Sequence, residues 1–297
     1  MSKVHFTYLY LGVLLFATAV SFSNLNVPND YLIIALAAAV TLLGLPHGAL
    51  DFKVAKSLSL FSSSKSAMVF LIGYVAIAAL SIVFWLMFPA SALIIFLSVS
   101  VYHFSADWRA LMPMYARLSL AAIIICGPAI FYSTVVINLF AALLVSVESS
   151  ALIVKAMQLT FTASLLIFIY YLGHLLKKEY IASRQNSWRL AESIALIVSS
   201  LTLSPLLHFG LYFCLLHSPK HLEDVSRNLN ISLPKAVIKS IPFVVLTLLF
   251  AGGAYAWFNA YNEPIEVSSA ILRWVFIGLF GLTMSHMILI DLWHRTK

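Results

Sequence analysis

The sequence predicts an all-α, polytopic integral membrane protein: a helical bundle of about ten transmembrane helices with its N- and C-termini in the cytoplasm. Composition is the first observation behind this prediction. Of the 297 residues, 62% are hydrophobic and only 10% are charged, whereas soluble domains carry about 25% charged residues. Such a chain is stable only with lipid as its solvent, where helices satisfy their own backbone groups. The second observation is the spacing of the apolar runs.

Ten apolar segments follow one another without an intervening soluble domain, so we expect one transmembrane domain over residues 1–297. The N-terminal run has features of a signal peptide, but it is long for one, and we expect an uncleaved first span. Both cysteines lie within apolar runs, which excludes a disulfide framework and a cysteine-rich zinc fold. The segments are 5–23, 31–51, 66–88, 90–107, 117–147, 152–177, 188–204, 206–220, 240–260 and 268–293.

The fifth segment, 117–147, decides the topology. It exceeds the roughly 20 residues of a straight span, and Gly127-Pro128 should kink it; two short helices are the alternative. One kinked crossing, with a cytoplasmic N-terminus, places 16 of the 18 Lys and Arg residues inside and only Lys155 and Arg273 outside. The positive-inside rule therefore favours ten crossings in the cell (inner) membrane. The net charge of +7 then belongs to short loops and does not indicate a nucleic-acid partner.

Histidines from five predicted spans fall at one level, near the cytoplasmic end of each span. Polar side chains within lipid normally face the bundle interior, and neutral imidazole is the commonest metal ligand among side chains. A shared divalent metal is the simplest partner for several imidazoles at one depth. The histidines at this level are His47, His103, His174, His217, His221 and His286.

Local spacing separates stronger from weaker candidates. Asp51 follows His47 by four residues, and Asp107 follows His103 by four, so each carboxylate could orient a ligating imidazole on its own helix face. His217 and His221 form an H-x-x-x-H pair that can offer two nitrogens to one ion. Within that pair, either the span kinks at Pro219, or Ser218 caps a new helix with Pro219 at its first position.

The remaining polar candidates have weaker patterns. His174 and His286 lack a partner four residues on, and Glu192 would either orient a ligand or pair with a loop cation. A lone histidine in a span is usually a hydrogen-bonding group. We interpret the other three histidines in that way: His5, His208 and His294.

Ligand type alone does not select a metal, because imidazole suits Zn, Cu, Fe and Ni. Four neutral ligands leave an open position on a six-coordinate metal, which suits O2 binding to Fe(II). No H-E-x-x-H motif is present, which disfavours a zinc intramembrane protease. No His-His pair is present, as the di-iron membrane desaturases require, and no lysine lies in the middle of a span for a retinal Schiff base.

Three motifs carry a family resemblance. They are Gly44-Leu45-Pro46-His47-Gly48-Ala49-Leu50-Asp51; Tyr102-His103-Phe104 with Asp107-Trp108; and Phe209-Gly210-Leu211-Tyr212-Phe213 running into His217-Ser218-Pro219-Lys220-His221. Together they resemble the Brp/Blh family of membrane β-carotene 15,15′-dioxygenases, and the similarity extends from the second span to Ser285-His286.

The resemblance implies an Fe(2+) enzyme that uses O2 to cleave the central double bond of β-carotene into two all-trans-retinals. It also implies that the iron ligands are His47, His103, His217 and His221, and that the retinal supplies a microbial rhodopsin. No general acid or base is expected, so Asp51 and Asp107 would orient ligands rather than transfer protons.

β-Carotene has no polar groups and dissolves only in the bilayer, so aromatic side chains are expected to pack against its polyene. Most of the 21 Phe and 13 Tyr must be ordinary packing residues. Two other functions fit the same histidines: a membrane carrier of a divalent metal, and a non-catalytic carotenoid- or retinal-binding helper of a rhodopsin. The aromatic candidates for substrate contact are Tyr102, Phe104, Trp108, Tyr212 and Phe213.

Overall fold

The structure is a computed structural model that describes residues 4–22, 29–177, 184–261 and 267–296. These residues form helices and turns, with no strand among them. Five of the described helices are long and apolar enough to cross a bilayer, and a sixth span results if a helix pair bent by 108° is counted as one. A helix pairs its own backbone polar groups, as lipid requires. The long apolar helices therefore indicate a helical membrane protein.

The described residues contain fourteen α-helices, and short π-helical and 3-10 turns join several of them. The π-helical turns are Val40–Gly44 and Tyr212–His217, and the 3-10 turns are Leu45–His47 and Ala106–Trp108. The α-helices are α1 (Val4–Phe22), α2 (Asn29–Ala39), α3 (Asp51–Ser57), α4 (Ser64–Met87), α5 (Pro89–Ser105), α6 (Met114–Cys126), α7 (Pro128–Phe131), α8 (Ser133–Ala142), α9 (Val147–Lys177), α10 (Arg184–Thr202), α11 (Pro205–Leu211), α12 (Ser218–Asn228), α13 (Leu233–Tyr261) and α14 (Val267–Arg295).

The fifth apolar segment has helix boundaries at two places: α6 ends at Cys126 and α7 begins at Pro128, where the sequence predicts a kink, and α7 ends before Tyr132. Gly127 keeps helical dihedral angles, whereas Tyr132 leaves the helix with φ −118° and ψ 32°. Met114–Phe131 is long enough to cross a bilayer, and Ser133–Ala142 forms a separate, shorter helix. The number of bilayer crossings that this segment makes stays a prediction.

His208 pairs the backbone carbonyl that Pro128 leaves without a helical donor. Proline has no N–H, so the carbonyl of Ile124, four residues earlier, loses its helical donor. His208 Nε2 donates to that carbonyl at 3.0 Å, and its Nδ1 lies 3.1 Å from Ser199 Oγ. The prediction that His208 is a hydrogen-bonding histidine is confirmed.

The chain divides into two compact units. The first contains residues 1–28, 93–141 and 145–217, and the second contains residues 29–92, 142–144 and 218–297. In the first unit α6 packs against α9 and α10. Gly127 permits the approach to α10, because an added Cβ would lie 2.6 Å from Ser200 Cβ.

The second unit is built around the packing of α14 against α4 and α2. Gly281 allows α14 to approach α4, since an added Cβ would lie 2.9 Å from Ile82 Cγ1. A buried apolar cluster from α3, α12, α13 and α14 fixes these helices together. Its members include Leu50, Val54, Leu222, Leu289 and Trp293.

Candidate functional site

Two buried imidazoles face each other in the first unit. His103 lies near the end of α5, and His217 is the last residue of the π-helical turn Tyr212–His217. Their Nε2 atoms are 3.1 Å apart, and the side chains belong to residues that are 6% and 1% exposed. The sequence predicted that these two histidines meet, and the structure brings them together.

Asp107 orients His217 from the other side of the ring. Both carboxylate oxygens lie 3.1 Å from His217 Nδ1, and the Tyr212 hydroxyl donates to Oδ2 at 2.9 Å. A carboxylate on Nδ1 fixes the tautomer that presents Nε2 as the basic nitrogen. Nε2 of His217 is the atom that faces His103.

Asp107 and His217, which form this hydrogen bond, lie in different elements and not on one helix. The spacing had paired Asp107 with His103 on the same helix face. Residues 106–108 form a 3-10 turn after α5, however, so the register of the α-helix ends before Asp107. Asp107 is thereby directed to His217.

A π-helical turn supplies both partners of Asp107. In a π-helix the hydrogen-bond step is five residues, so residues five apart lie near one another on one face. Tyr212 and His217 are five apart and both contact Asp107. The turn runs directly into α12, so the helix continues through Ser218 and Pro219.

Three of the five predicted aromatic residues surround His217. The ring centroid of Phe104 is 4.6 Å from that of His217, Phe213 stacks on the ring at 5.8 Å, and Tyr212 lies at 6.0 Å. These rings shield the imidazole from solvent. Their contact with a substrate stays a prediction.

The other two aromatic candidates lie differently. Trp108 is buried and its Nε1 donates to Glu192 Oε1 at 3.3 Å, while Tyr102 is 36% exposed. Glu192 also accepts a hydrogen bond from the hydroxyl of Thr7. An indole and a hydroxyl are thus two of the partners of Glu192, and its suggested contact with a ligand or a loop cation stays a prediction.

The second unit holds its own carboxylate–imidazole pair. Asp51, at the start of α3, accepts from His286 Nδ1 on α14, with oxygen distances of 2.8 and 3.0 Å. Tyr74 on α4 donates to Asp51 Oδ2 at 2.7 Å. The His221 ring lies beside His286, with centroids 5.2 Å apart and planes at 78°.

His47 precedes Asp51 by four residues in the sequence. Its backbone forms the 3-10 turn Leu45–His47, and its side chain lies outside the described residues. An added Cβ on the next residue, Gly48, would lie 3.8 Å from His286 Nδ1. The Ser218 hydroxyl donates to the Leu43 carbonyl, which ties the start of α12 to the turn before His47.

The two units repeat one arrangement: a tyrosine hydroxyl and an imidazole Nδ1 both donate to one buried aspartate. The first unit uses Tyr212, Asp107 and His217, and the second uses Tyr74, Asp51 and His286. This is the outer hydrogen bonding that metal-ligating histidines usually have. Among the described side chains, no group of three His, Cys, Asp or Glu residues is arranged to hold a metal ion.

Similar proteins identify the family of this chain. A sequence model described as β-carotene 15,15′-dioxygenase matches residues 38–294. The chain belongs to the β-carotene 15,15′-dioxygenase family. It is also 34% identical, over 261 residues, to the β-carotene 15,15′-dioxygenase of uncultured marine bacterium 66A03, covering 86% of this chain and 91% of that protein. No solved structure matches the chain.

The family resemblance seen in the sequence motifs is therefore confirmed. The region matched to the β-carotene 15,15′-dioxygenase family contains all the predicted ligands, both aspartates and His286. Sequence spacing undervalued His286, because its carboxylate partner lies 235 residues away. It did not identify Tyr74, since nothing in the pattern around that residue marks it as a partner of Asp51. The available signal was depth alone: His286 lies at the predicted level of the other histidines.

Proposed function

We propose that this protein is an Fe(2+) enzyme that cleaves the central 15,15′ double bond of β-carotene with O2 and releases two all-trans-retinals. Family membership supports the reaction. The single observation that supports a bound metal ion is the 3.1 Å separation of the Nε2 atoms of His103 and His217. Two nitrogens bound at about 2.1 Å to one ion lie about 3.0–3.4 Å apart, so this pair has the spacing of two ligands.

The proposed ligands are His47, His103, His217 and His221. Asp107 supports this set through Nδ1 of His217, as carboxylates do for ligating imidazoles. In the second unit Asp51 holds the His286 imidazole in the same way, and that ring packs beside His221, one of the proposed ligands. Iron bound by neutral imidazoles would supply the activation of O2.

The protein's own residues bind, orient and exclude water. Cleavage breaks one C=C bond and forms two C=O bonds with the two atoms of O2, so no proton must be added or removed. Asp51 and Asp107 accordingly orient imidazoles and do not act as acid or base. The rings around His217 keep water from the reacting bond, and their faces would pack on the polyene. We propose Tyr102, Phe104, Trp108, Tyr212 and Phe213 as that lining.

The bilayer is where β-carotene dissolves, so the reaction takes place there. We propose ten crossings with both termini in the cytoplasm, supported by the 16 Lys and Arg residues that this topology places inside. The location is then the cell (inner) membrane, with a multi-pass chain. Retinal released into the bilayer would supply a microbial rhodopsin.

Expression in a bacterium that makes β-carotene tests the proposal. The wild-type chain should remove the orange colour and produce retinal, and His103→Ala should restore the colour. His174→Ala is the matched control, because that histidine is exposed on α9. Pigment that accumulates on the wild-type protein without retinal would instead favour a carotenoid-binding helper. Metal uptake without retinal or bound pigment would favour a carrier.

A further inference from the structure

An apolar groove lies in the second unit, among α2 with its π-helical turn, α13 and α14. Its volume is about 240 Å³. Three walls line the groove. The lining residues used below are Val40 and Leu45 on the first wall, Leu248 on the second, and Trp274, Gly278 and Leu282 on the third. Leu248 is 47% exposed, so the groove opens at the surface of α13.

The lining offers hydrocarbon contact almost exclusively. Among the described residues that line it, none is charged, and the hydroxyls are those of Thr41 and Thr247. Thr247 Oγ1 donates to the Phe243 carbonyl of its own helix at 2.8 Å. A ligand of this groove must therefore be apolar, since an unpaired polar group buried there would lose its hydrogen bonds to water.

The histidines of the same unit lie further along two of the elements that line the groove. Gly278, Leu282 and His286 are four residues apart in sequence, so they share one face of α14. Eight residues of helix span about 12 Å, so His286 lies about that far beyond Gly278. On the opposite wall, Leu45 precedes His47 by two residues in the same 3-10 turn.

We propose that this groove binds one end of the carotenoid, its terminal ring and the adjoining polyene, and that Gly278 determines the size of end that fits. This inference rests on the proposed function. Sites that enclose a whole drug-sized molecule have volumes of about 300–1,000 Å³. A groove of about 240 Å³ is suited to part of a long carotenoid, with the remainder extending along α14 toward His286.

Gly278 is the position that tests the proposal. A Cβ added there meets no atom within 4 Å, so a side chain at this position begins in the open space of the groove. Gly73 on α4, in the same unit, also has no atom within 4 Å of an added Cβ, and it does not line the groove. Gly73→Leu is therefore a matched control for Gly278→Leu.

The experiment measures β-carotene bound to purified, iron-loaded protein by absorbance, together with KM and kcat for retinal formation and iron per chain. Gly278→Leu should lower β-carotene affinity and raise KM by about tenfold or more, with iron content unchanged. Gly278→Ala should give a smaller change in the same direction, and it keeps the test valid if the leucine variant fails to fold. Gly73→Leu should match the wild type.

The possible results separate the two proposals. If the wild type turns over and both Gly278 variants keep its β-carotene affinity and KM, the proposed role of the groove is wrong. The proposed function is then unaffected. Wild-type binding that Gly278→Leu removes, without any retinal formation, would support the groove and overturn the proposed function. Equal loss of binding in Gly278→Leu and Gly73→Leu would also overturn the groove, because the effect would not depend on its lining.

Discussion

Asp51 Oδ2 lies 2.8 Å from Nδ1 of His286, although the two residues are 235 positions apart in the sequence. The bond joins the start of α3 to the late part of α14, and both side chains are buried. Tyr74 donates to the same carboxylate. A buried aspartate that accepts from two donors is held in place, so it can fix the orientation of the His286 imidazole.

Asp51→Asn should weaken iron retention about 10- to 100-fold without abolishing the fold, because the amide is a poorer acceptor for His286 Nδ1–H than the carboxylate. Iron per chain after dialysis against a chelator measures this loss. Asp291→Asn, which changes an aspartate paired with Arg295 on the exterior of α14, is the control. Iron content in Asp51→Asn equal to that of the wild type would contradict the orienting role.

His286→Ala examines whether Asp51 acts through His286. If it does, the double variant Asp51→Asn/His286→Ala should retain about as much iron as His286→Ala alone, because the aspartate has lost the group it orients. Chelator dialysis of the three variants provides the comparison. Losses that multiply in the double variant would mean that Asp51 acts on another group.

Tyr212→Phe should reduce iron retention less than Asp107→Asn does. The phenylalanine removes one 2.9 Å hydrogen bond to Asp107 but keeps the ring that packs on Phe104. His217 still has its carboxylate partner in that variant, whereas Asp107→Asn weakens the partner itself. Iron titrations of both variants compare the two losses, and an equal or larger loss in Tyr212→Phe would refute this order.

His208→Phe should destabilise the protein by about 1–3 kcal/mol, because the Ile124 carbonyl loses the donor that replaces the N–H that Pro128 lacks. Adding Pro128→Ala restores a backbone donor to that carbonyl, so the double variant should recover part of the loss. Thermal unfolding in detergent measures both effects, and iron content should stay at the wild-type level. An equal stability loss with and without Pro128→Ala would show that the carbonyl is not the cause.

Composition was sufficient to predict the helical membrane class. The predicted depth of the histidines was sufficient to predict that His103 and His217 lie close together. Both inferences rest on periodic or averaged properties of the chain, which survive small local changes. The pairing of Asp107 was harder to predict, because one 3-10 turn and one π-helical turn shift the helix faces on which a four-residue spacing depends.

The partners of His286 and His208 could not be read from local sequence for a related reason. Each partner is distant in the chain: Asp51 for His286, and the Ile124 carbonyl for His208. A local pattern identifies proline as a helix breaker, but it cannot include a donor supplied 84 residues away. Long-range hydrogen bonds therefore decided the features on which spacing was silent or wrong.

Iron per chain in purified protein, measured by elemental analysis for the wild type, His217→Ala and His174→Ala, tests the central claim most directly. The account predicts about one iron per chain in the wild type and in His174→Ala, and a loss of more than tenfold in His217→Ala. Full iron content in His217→Ala would contradict it, because the imidazole that Asp107 orients toward His103 would then not be a ligand.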